Sequence, residues 1–327
     1  MAEITHEISL EQFNQQIQYA IKHYRSHGLI ASQFSNIIIG GLGGSGIGGR
    51  IAKAYFADKG SIPIEVYSDY TFPHYTSKNT LVILSSYSGT TEETLAMYDQ
   101  AKALGCQIIC ISSGGELLDK AVTGNNMLYK VETGYQPRMA LGFSLTYNIL
   151  ILSELFGIET AMELENTASI YENGKHYQDE ALKHLELFNG KENQKFAIVT
   201  DNPTEAVGVR FCQQLQENAK SEAFVNVLPE ANHNVFETYY GTLPTNFIFI
   251  NSFTNVRNNG RFAYLKQLLE KQGNTVAEIQ LANASIYELY KSIYITDWIS
   301  IYLANKKGAD KMHVPNIAGL KNFLKTF

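Results

Sequence analysis

The sequence predicts an α/β protein made of two consecutive units, each a parallel sheet covered by helices on both faces. Three observations carry this. Short apolar runs alternate with longer stretches whose apolar residues recur every three or four positions, the pattern of parallel strands joined by crossover helices. The alternation runs twice, interrupted by a polar helical stretch near residues 160–190. The chain's 327 residues also exceed the roughly 250–300 at which one hydrophobic core stops growing. The expected units are residues 1–157 and 158–327.

Each element follows in order. Residues 8–30 space apolar side chains at three and four and read as a helix closed by Gly28. Asn36–Gly40 (NIIIG) is a continuous apolar run, as in a strand buried on both faces. The glycine loop GGLGGSGIGG and the helix RIAKAYFADKG come next. IPIEVYSD and TLVILSS are strands, the loop YSGTT opens the helix EETLAMYDQAKALG, and CQIICISSG is a further strand. The helical block LGFSLTYNILILSELFG closes this half. In the second half KFAIVTD is a strand and PTEAVGVRFCQQLQENAK a helix with Pro203 near its first turn. SEAFVNVLPEANHN is a strand running into a loop, NFIFINSF a strand, RFAYLKQLLEKQG a helix and TVAEIQL a strand. The long amphipathic helix SIYELYKSIYITDWISIYLANKKG and the short helix IAGLKNFLKTF end the chain.

Composition excludes several classes of function. The 26 basic and 32 acidic residues give a net charge of −6, which argues against a nucleic acid or an anionic membrane as partner. A small anion remains possible, because a few local donors hold a phosphate whatever the net charge. Cys106, Cys110 and Cys212 are too few and too odd for a disulfide framework and imply a reducing compartment. GCQIIC reads as a buried strand in which Cys106 and Cys110 are small apolar fillers. No apolar run approaches the ~20 residues a bilayer requires. The start MAEITHEISLEQF has neither a basic nor an apolar leader region, so a cytoplasmic protein is expected. The histidines are scattered without zinc-binding spacing, GxxxxGK[ST] is absent, and GGSGIGG lacks the spacing of a nucleophile elbow. Neither a metal nor another cofactor is expected.

Two loops carry chemistry. The first, Gly40–Gly49, holds seven glycines in ten residues between a buried strand and a helix. Backbone N–H groups there favour an anion, Gly44 and Gly46 let the backbone approach a ligand, and Ser45 adds a hydroxyl. The same loop satisfies G-x-G-x-x-G through Gly41, Gly43 and Gly46, with Glu65 following near the next strand, so a dinucleotide site is a rival reading. The second loop, Ser85–Thr94, discriminates. Thr90 has capping-box spacing to Glu93, which explains one hydroxyl and leaves Ser86, Ser88 and Thr91. Several hydroxyls beside free N–H groups at a helix start form a neutral nest for a phosphate dianion.

GGSGIGG followed by SYSGTTEET resembles the sugar isomerase (SIS) domain family, whose serine- and threonine-rich loop holds a sugar phosphate. QPRMALGF, QENAK, LPEANHN and LKNFL resemble one branch with two SIS domains, the bifunctional phosphoglucose/phosphomannose isomerases. The resemblance implies two flavodoxin-like three-layer domains, and a homodimer with shared active sites. It implies an aldose–ketose isomerase acting on glucose 6-phosphate and fructose 6-phosphate, with mannose 6-phosphate a further substrate to test. A SIS protein that senses a sugar phosphate without turnover, and less so a dehydrogenase, are the alternatives. Two positions depart from the branch: Thr90 stands where Asn is common, and Val314 lies near a position where a hydroxyl residue is expected.

Isomerisation moves a proton between C2 and C1, work suited to a carboxylate. By resemblance Glu217 is that base, although a helix-end glutamate is otherwise ordinary surface. His233, by itself a polar loop residue, is implied in ring opening from the other subunit of a dimer. Lys321, by itself a solvated lysine, is implied at the ring oxygen. Arg138, a permanently charged fork, suits an enediolate oxygen as well as a plain salt bridge.

Overall fold

The computed structural model describes residues 4–169, 171 and 174–326. The chain divides into two compact units. The first is built chiefly from Glu11–Gly174 and Ala284–Tyr290, and the second from Thr5–Leu10, Lys175–Asn283 and Lys291–Phe327. The main division therefore falls after Gly174, where the sequence reading placed it after 157.

The helix expected over residues 8–30 is two shorter ones, α1 (His6–Glu11) and α2 (Phe13–His23). Helix α2 stops because Tyr24 turns extended (φ −64°, ψ 135°) and the chain beyond it is captured by one carboxylate. Glu154 accepts hydrogen bonds from the Tyr24 hydroxyl (2.6 Å), Ser26 Oγ (2.6 Å) and the Gly28 N–H (2.8 Å). Gly28 thus lies past the helix end and does not cap it.

In the first unit the strands are β1 (Asn36–Gly40), β2 (Ile64–Tyr67), β3 (Thr80–Ser85), β4 (Gln107–Ser112) and β5 (Met127–Lys130). Among the described residues they form a parallel sheet in the order β2-β1-β3-β4-β5. Ile37, Ile38, Ile39, Leu81, Val82, Ile83 and Leu84 are fully buried, as continuous apolar runs covered on both faces require. The connecting helices are α3 (Gly43–Tyr55), α4 (Glu92–Ala103) and α5 (Gly115–Thr123). Helix α6 (Leu141–Phe156) is buried along nearly its whole length against α2 and α3, and α7 (Ala161–Ser169) packs on α2. That last contact keeps α7 in the first unit. Helix α5 and strand β5 have no counterpart in the sequence reading.

In the second unit β6 (Lys195–Asp201), β7 (Ala223–Leu228), β8 (Thr245–Asn251) and β9 (Val276–Gln280) form a parallel sheet in the order β7-β6-β8-β9. Its helices are α8 (Gly174–Glu186), α9 (Glu205–Ala219), α10 (Val256–Lys271), α11 (Ile286–Lys307), whose residues up to Tyr290 belong to the first unit, and α12 (Pro315–Leu324). A buried ion pair joins α9 to α11: Arg210 Nη2 lies 2.6 Å from Asp297 Oδ2, both side chains 3% exposed. Cys110 and Cys212 are buried, and burial pushes each thiol up to about 12, the behaviour of inert apolar fillers. Among the described residues no helix is long and apolar enough to cross a membrane.

Candidate active site

The strand order locates the site before any side chain is considered. In a doubly wound sheet, ligands bind outside the carboxyl ends of the strands where the connections reverse direction. Here β1 connects outward to β2 and the chain returns to β3 on the other side of β1. The switch point therefore lies between the segments leaving β1 and β3, the two loops singled out by sequence.

The segment after β1 is not the open loop its glycines suggested. Helix α3 already begins at Gly43, so Gly44, Ser45, Gly46, Gly48 and Gly49 are helical. The missing side chains of these glycines answer to packing. A Cβ on Gly44 would lie 2.6 Å from Pro137 O, on Gly46 2.4 Å from Gly41 O, on Gly48 3.0 Å from Ser144 Oγ and on Gly49 2.6 Å from Ile39 Cγ2. These four glycines thus let α3 press against β1, α6 and the turn carrying Arg138. Glu65 is the second residue of β2, in register with Ile38, and its carboxylate accepts the Tyr75 hydroxyl. It is set back from the strand's carboxyl end, where a dinucleotide ribose is met.

The segment after β3 is a built nest. Ser86 is buried; its hydroxyl donates to Thr91 Oγ1 (2.9 Å) and accepts the Gly89 N–H (3.1 Å). Ser88 Oγ accepts from the Thr90 N–H (3.3 Å) and the Thr90 hydroxyl (3.1 Å). Ser45 Oγ accepts the Tyr87 N–H (3.1 Å). Ser86 is therefore committed to shaping the turn, while the hydroxyl hydrogens of Ser45, Ser88 and Thr91 have no acceptor among the described residues. The N-cap of α4 is Thr91 and not Thr90, and no side chain caps the helix. Its first-turn N–H groups, with the helix dipole behind them, are the kind of donors an anion would take.

A second loop braces this turn. Ser112 Oγ donates to Ser86 O (2.7 Å), and the Leu117 N–H donates to Gly89 O (2.9 Å). Gly89 has φ +69°, and a Cβ there would sit 1.7 Å from Gly114 O, so only glycine fits. Arg138 lies in a 3₁₀ turn, Pro137–Met139, 6% exposed, and its Cα would be 2.9 Å from a Cβ on Gly44. The first unit thus brings Gly44, Ser45, Gly46, Ser86, Ser88, Thr91 and Arg138 to one end of its sheet.

The second unit has the same topological switch point, between the ends of β6 and β8, but closes it with its own groups. Asp201 is fully buried and accepts from Thr204 Oγ1 (2.8 Å) and Ser252 Oγ (2.5 Å). Asn255 Oδ1 caps α10 by accepting the N–H groups of Arg257 (2.9 Å) and Asn258 (3.1 Å). A carboxylate and an amide oxygen stand where an anion would bind.

The remaining sequence candidates lie elsewhere in the second unit. Glu217 is half-buried in the last turn of α9. The chain then leaves through Lys220, at φ +52°, whose ammonium donates to Glu217 O (2.5 Å) and His313 O (2.8 Å). His313 O belongs to the segment entering α12, where Lys321 is exposed and where Val314 is the N-cap without a side-chain hydrogen bond. His233 is exposed at the end of a 3₁₀ turn, Glu230–His233, beyond β7. Glu217 precedes β7 and His233 follows it, so the two stand at opposite ends of a six-residue strand, roughly 20 Å apart. The fold does not bring these two together within one chain.

Comparison with known proteins adds a family to this geometry. Residues 187–324 match the model described as the bacterial phospho-glucose isomerase C-terminal SIS domain, and residues 29–121 match that of the SIS domain. The chain is 33% identical to a bifunctional phosphoglucose/phosphomannose isomerase of Caldicellulosiruptor bescii, over 95% of this chain and 96% of that one. It is 31% identical to the protein of the same name in Aquifex aeolicus, over 89% and 91%. Among solved structures it is similar in fold to glucosamine-6-phosphate deaminase from Thermotoga maritima, with TM-score 0.72 and 15% identity over 93% of this chain and 96% of that one.

Proposed function

The chain belongs to the family of bifunctional phosphoglucose/phosphomannose isomerases, and we propose that it interconverts glucose 6-phosphate and mannose 6-phosphate with fructose 6-phosphate. The observation that carries this reading is the turn after β3, where hydroxyl hydrogens of Ser88 and Thr91 accompany the uncapped start of α4. That combination suits a phosphate dianion, with Ser45 contributing from α3.

In the proposed reaction His233 and Lys321 assist proton movement at the ring oxygen, giving the open-chain sugar. Glu217 then takes the C2 proton of the aldose and returns it to C1, while the hydroxyl proton of O2 passes to O1. C2 is oxidised to a ketone as C1 is reduced to an alcohol, so no outside oxidant or reductant enters. Arg138 faces the oxygens of the enediolate, where negative charge develops. The enediolate is planar at C2. Glucose and mannose 6-phosphates therefore share one intermediate, and the face on which C2 is protonated decides which aldose forms.

The separation of Glu217 and His233 along β7 supports a site that takes His233 from a second copy, and hence a homodimer. A cytoplasmic enzyme of hexose-phosphate metabolism, as in glycolysis or gluconeogenesis, is the matching cellular role.

The test is to incubate the protein with fructose 6-phosphate and resolve the aldoses. Both aldose phosphates should form without added cofactor and in the presence of chelator; binding without turnover would favour a sensor instead. Glu217→Gln should abolish turnover while inorganic phosphate still binds, and full activity in that variant rejects Glu217 as the base. Mixed, separately inactive Glu217→Gln and His233→Ala proteins should regain activity on subunit exchange if the sites are shared.

A further inference from the structure

We propose that Tyr87 and Gln16 are positioning residues that hold the arginine-bearing segment Glu132–Met139 from its two ends, Tyr87 doing so from within the phosphate-holding turn. The proposal rests on Arg138 facing the enediolate as described above.

Tyr87 sits between Ser86 and Ser88, and its backbone is fixed on both sides. Its N–H donates to Ser45 Oγ (3.1 Å), and its carbonyl accepts from the Ser113 N–H (3.0 Å) and Ser113 Oγ (2.5 Å). Its phenol then leaves the turn altogether. The hydroxyl donates to Glu132 O (3.0 Å) and accepts the Tyr135 N–H (2.8 Å). One residue, Gln136, separates that anchor from the Pro137–Met139 turn.

The far end of the segment is held by Gln16 of α2. It is fully buried, and its Nε2 donates to Met139 O (2.8 Å). Gly142 has no room for a side chain because a Cβ there would lie 2.7 Å from Gln16 Cβ. Between the two anchors the Pro137 carbonyl lies against Gly44, where a Cβ would meet it at 2.6 Å. Arg138 is thus suspended between two side-chain struts and one close backbone contact. Burial raises the Tyr87 phenol above its ordinary value, so it stays protonated and a donor through the neutral range.

Without the Tyr87 hydroxyl, the Tyr135 N–H and Glu132 carbonyl lose their partner and the segment relaxes. The phosphate turn keeps its own bonds, because every contact that shapes it from Tyr87 is a backbone contact. The two functions separate: phosphate affinity belongs to the turn, and arginine placement to the phenol.

The experiment compares Tyr87→Phe, Arg138→Lys, their double variant and Gln16→Met in the full chain. It reads kcat and KM on fructose 6-phosphate, the inhibition constant of inorganic phosphate, and thermal unfolding. Tyr87→Phe and Gln16→Met should each lower kcat by about tenfold or more, since sub-ångström misplacement of a catalytic group is that costly. Phosphate inhibition should stay within about twofold, and the double variant should be no slower than Arg138→Lys alone, the non-additivity of coupled groups. Unchanged kcat in Tyr87→Phe beside a slow Arg138→Lys overturns the proposal and leaves the arginine's role standing. Unchanged kcat in Arg138→Lys instead removes the reading beneath it. Weakened phosphate inhibition in Tyr87→Phe, or failure of both strut variants to fold, would make these residues architecture of the loop and equally overturn the proposal.

Discussion

Replacing Gly46 with alanine separates two accounts of the glycine-rich segment. If the glycine is there for close approach of a ligand, the added methyl obstructs binding and leaves the fold alone. If it is there for packing, the methyl strikes the protein itself. The Cβ would lie 2.4 Å from Gly41 O and 2.8 Å from Gly41 C, both backbone atoms that no rotamer change can move. Reaching tolerable contact requires α3 and the end of β1 to part by about 0.6–1.0 Å, an overpacking that typically costs ~1–3 kcal/mol. Alanine's better helix propensity returns up to ~1 kcal/mol. With that full return the net loss is about 0–2 kcal/mol, a fall in Tm of up to about 8 °C for a unit of this size. Thermal unfolding without ligand reads the effect, with steady-state kinetics on fructose 6-phosphate beside it. Gly319→Ala is the control, because a Cβ there meets nothing within 4 Å. An unchanged Tm for Gly46→Ala together with a raised KM would refute the packing account.

Three other expectations follow from particular contacts. Asp297→Ala leaves Arg210 buried without its carboxylate and should cost ~3–5 kcal/mol in denaturant unfolding, whereas replacing both partners with apolar residues of similar volume should recover much of the loss. For Glu154, burial works to raise the carboxyl pKa, but hydrogen bonds from Ser26, Tyr24 and Gly28 outweigh it and hold the group below its ordinary 4.5. Its stabilising contribution is therefore complete above pH 4.5 and lost as pH falls through the lowered value, so the stability gap between wild type and Glu154→Gln should close on acidification below that point. Ser88→Ala and Thr91→Val should each raise KM by about tenfold with kcat little changed, as loss of one hydroxyl bond to a charged oxygen implies; a fall in kcat at constant KM would contradict their assignment to the phosphate.

The strands were the most legible part of the chain. NIIIG and KFAIVTD read as buried parallel strands because such strands carry apolar residues at every position, and they are β1 and β6 residue for residue. Strand β5 escaped because it is a four-residue edge strand with only Tyr129 buried, too short to show a period. The end of α2 was illegible for a different reason. Gly28 looks like a helix stop, but the stop is set by Glu154, 126 residues away. The glycines of α3 present the same difficulty. Close packing and ligand approach both demand a missing side chain, and only the neighbours, Pro137, Ser144 and Ile39, distinguish them. The capping assignment failed at single-residue scale: Thr90 has the right spacing, yet Thr91 occupies the cap and spends its oxygen on Ser86.

Why one switch point is open and the other closed is also a matter of partners at a distance. Both follow a central strand, both open a helix, and both present serine and threonine: Ser86, Ser88 and Thr91 in one, Ser252 and Thr254 in the other. In the first, a neutral loop around Ser112 and Gly114 braces the turn from behind through backbone carbonyls, which leaves hydroxyl hydrogens and helix N–H groups unspent. In the second, Asp201 enters from the neighbouring strand and consumes the Ser252 and Thr204 hydroxyls, and Asn255 consumes the helix N–H groups. A buried carboxylate with two hydroxyl donors is electrostatically what a bound phosphate would be, so an external anion finds its donors taken and a like charge in place. Residue types alone do not distinguish the two turns. On the proposed function, the difference lies in whether the negative charge at each turn is supplied by the chain or left to be supplied by a substrate.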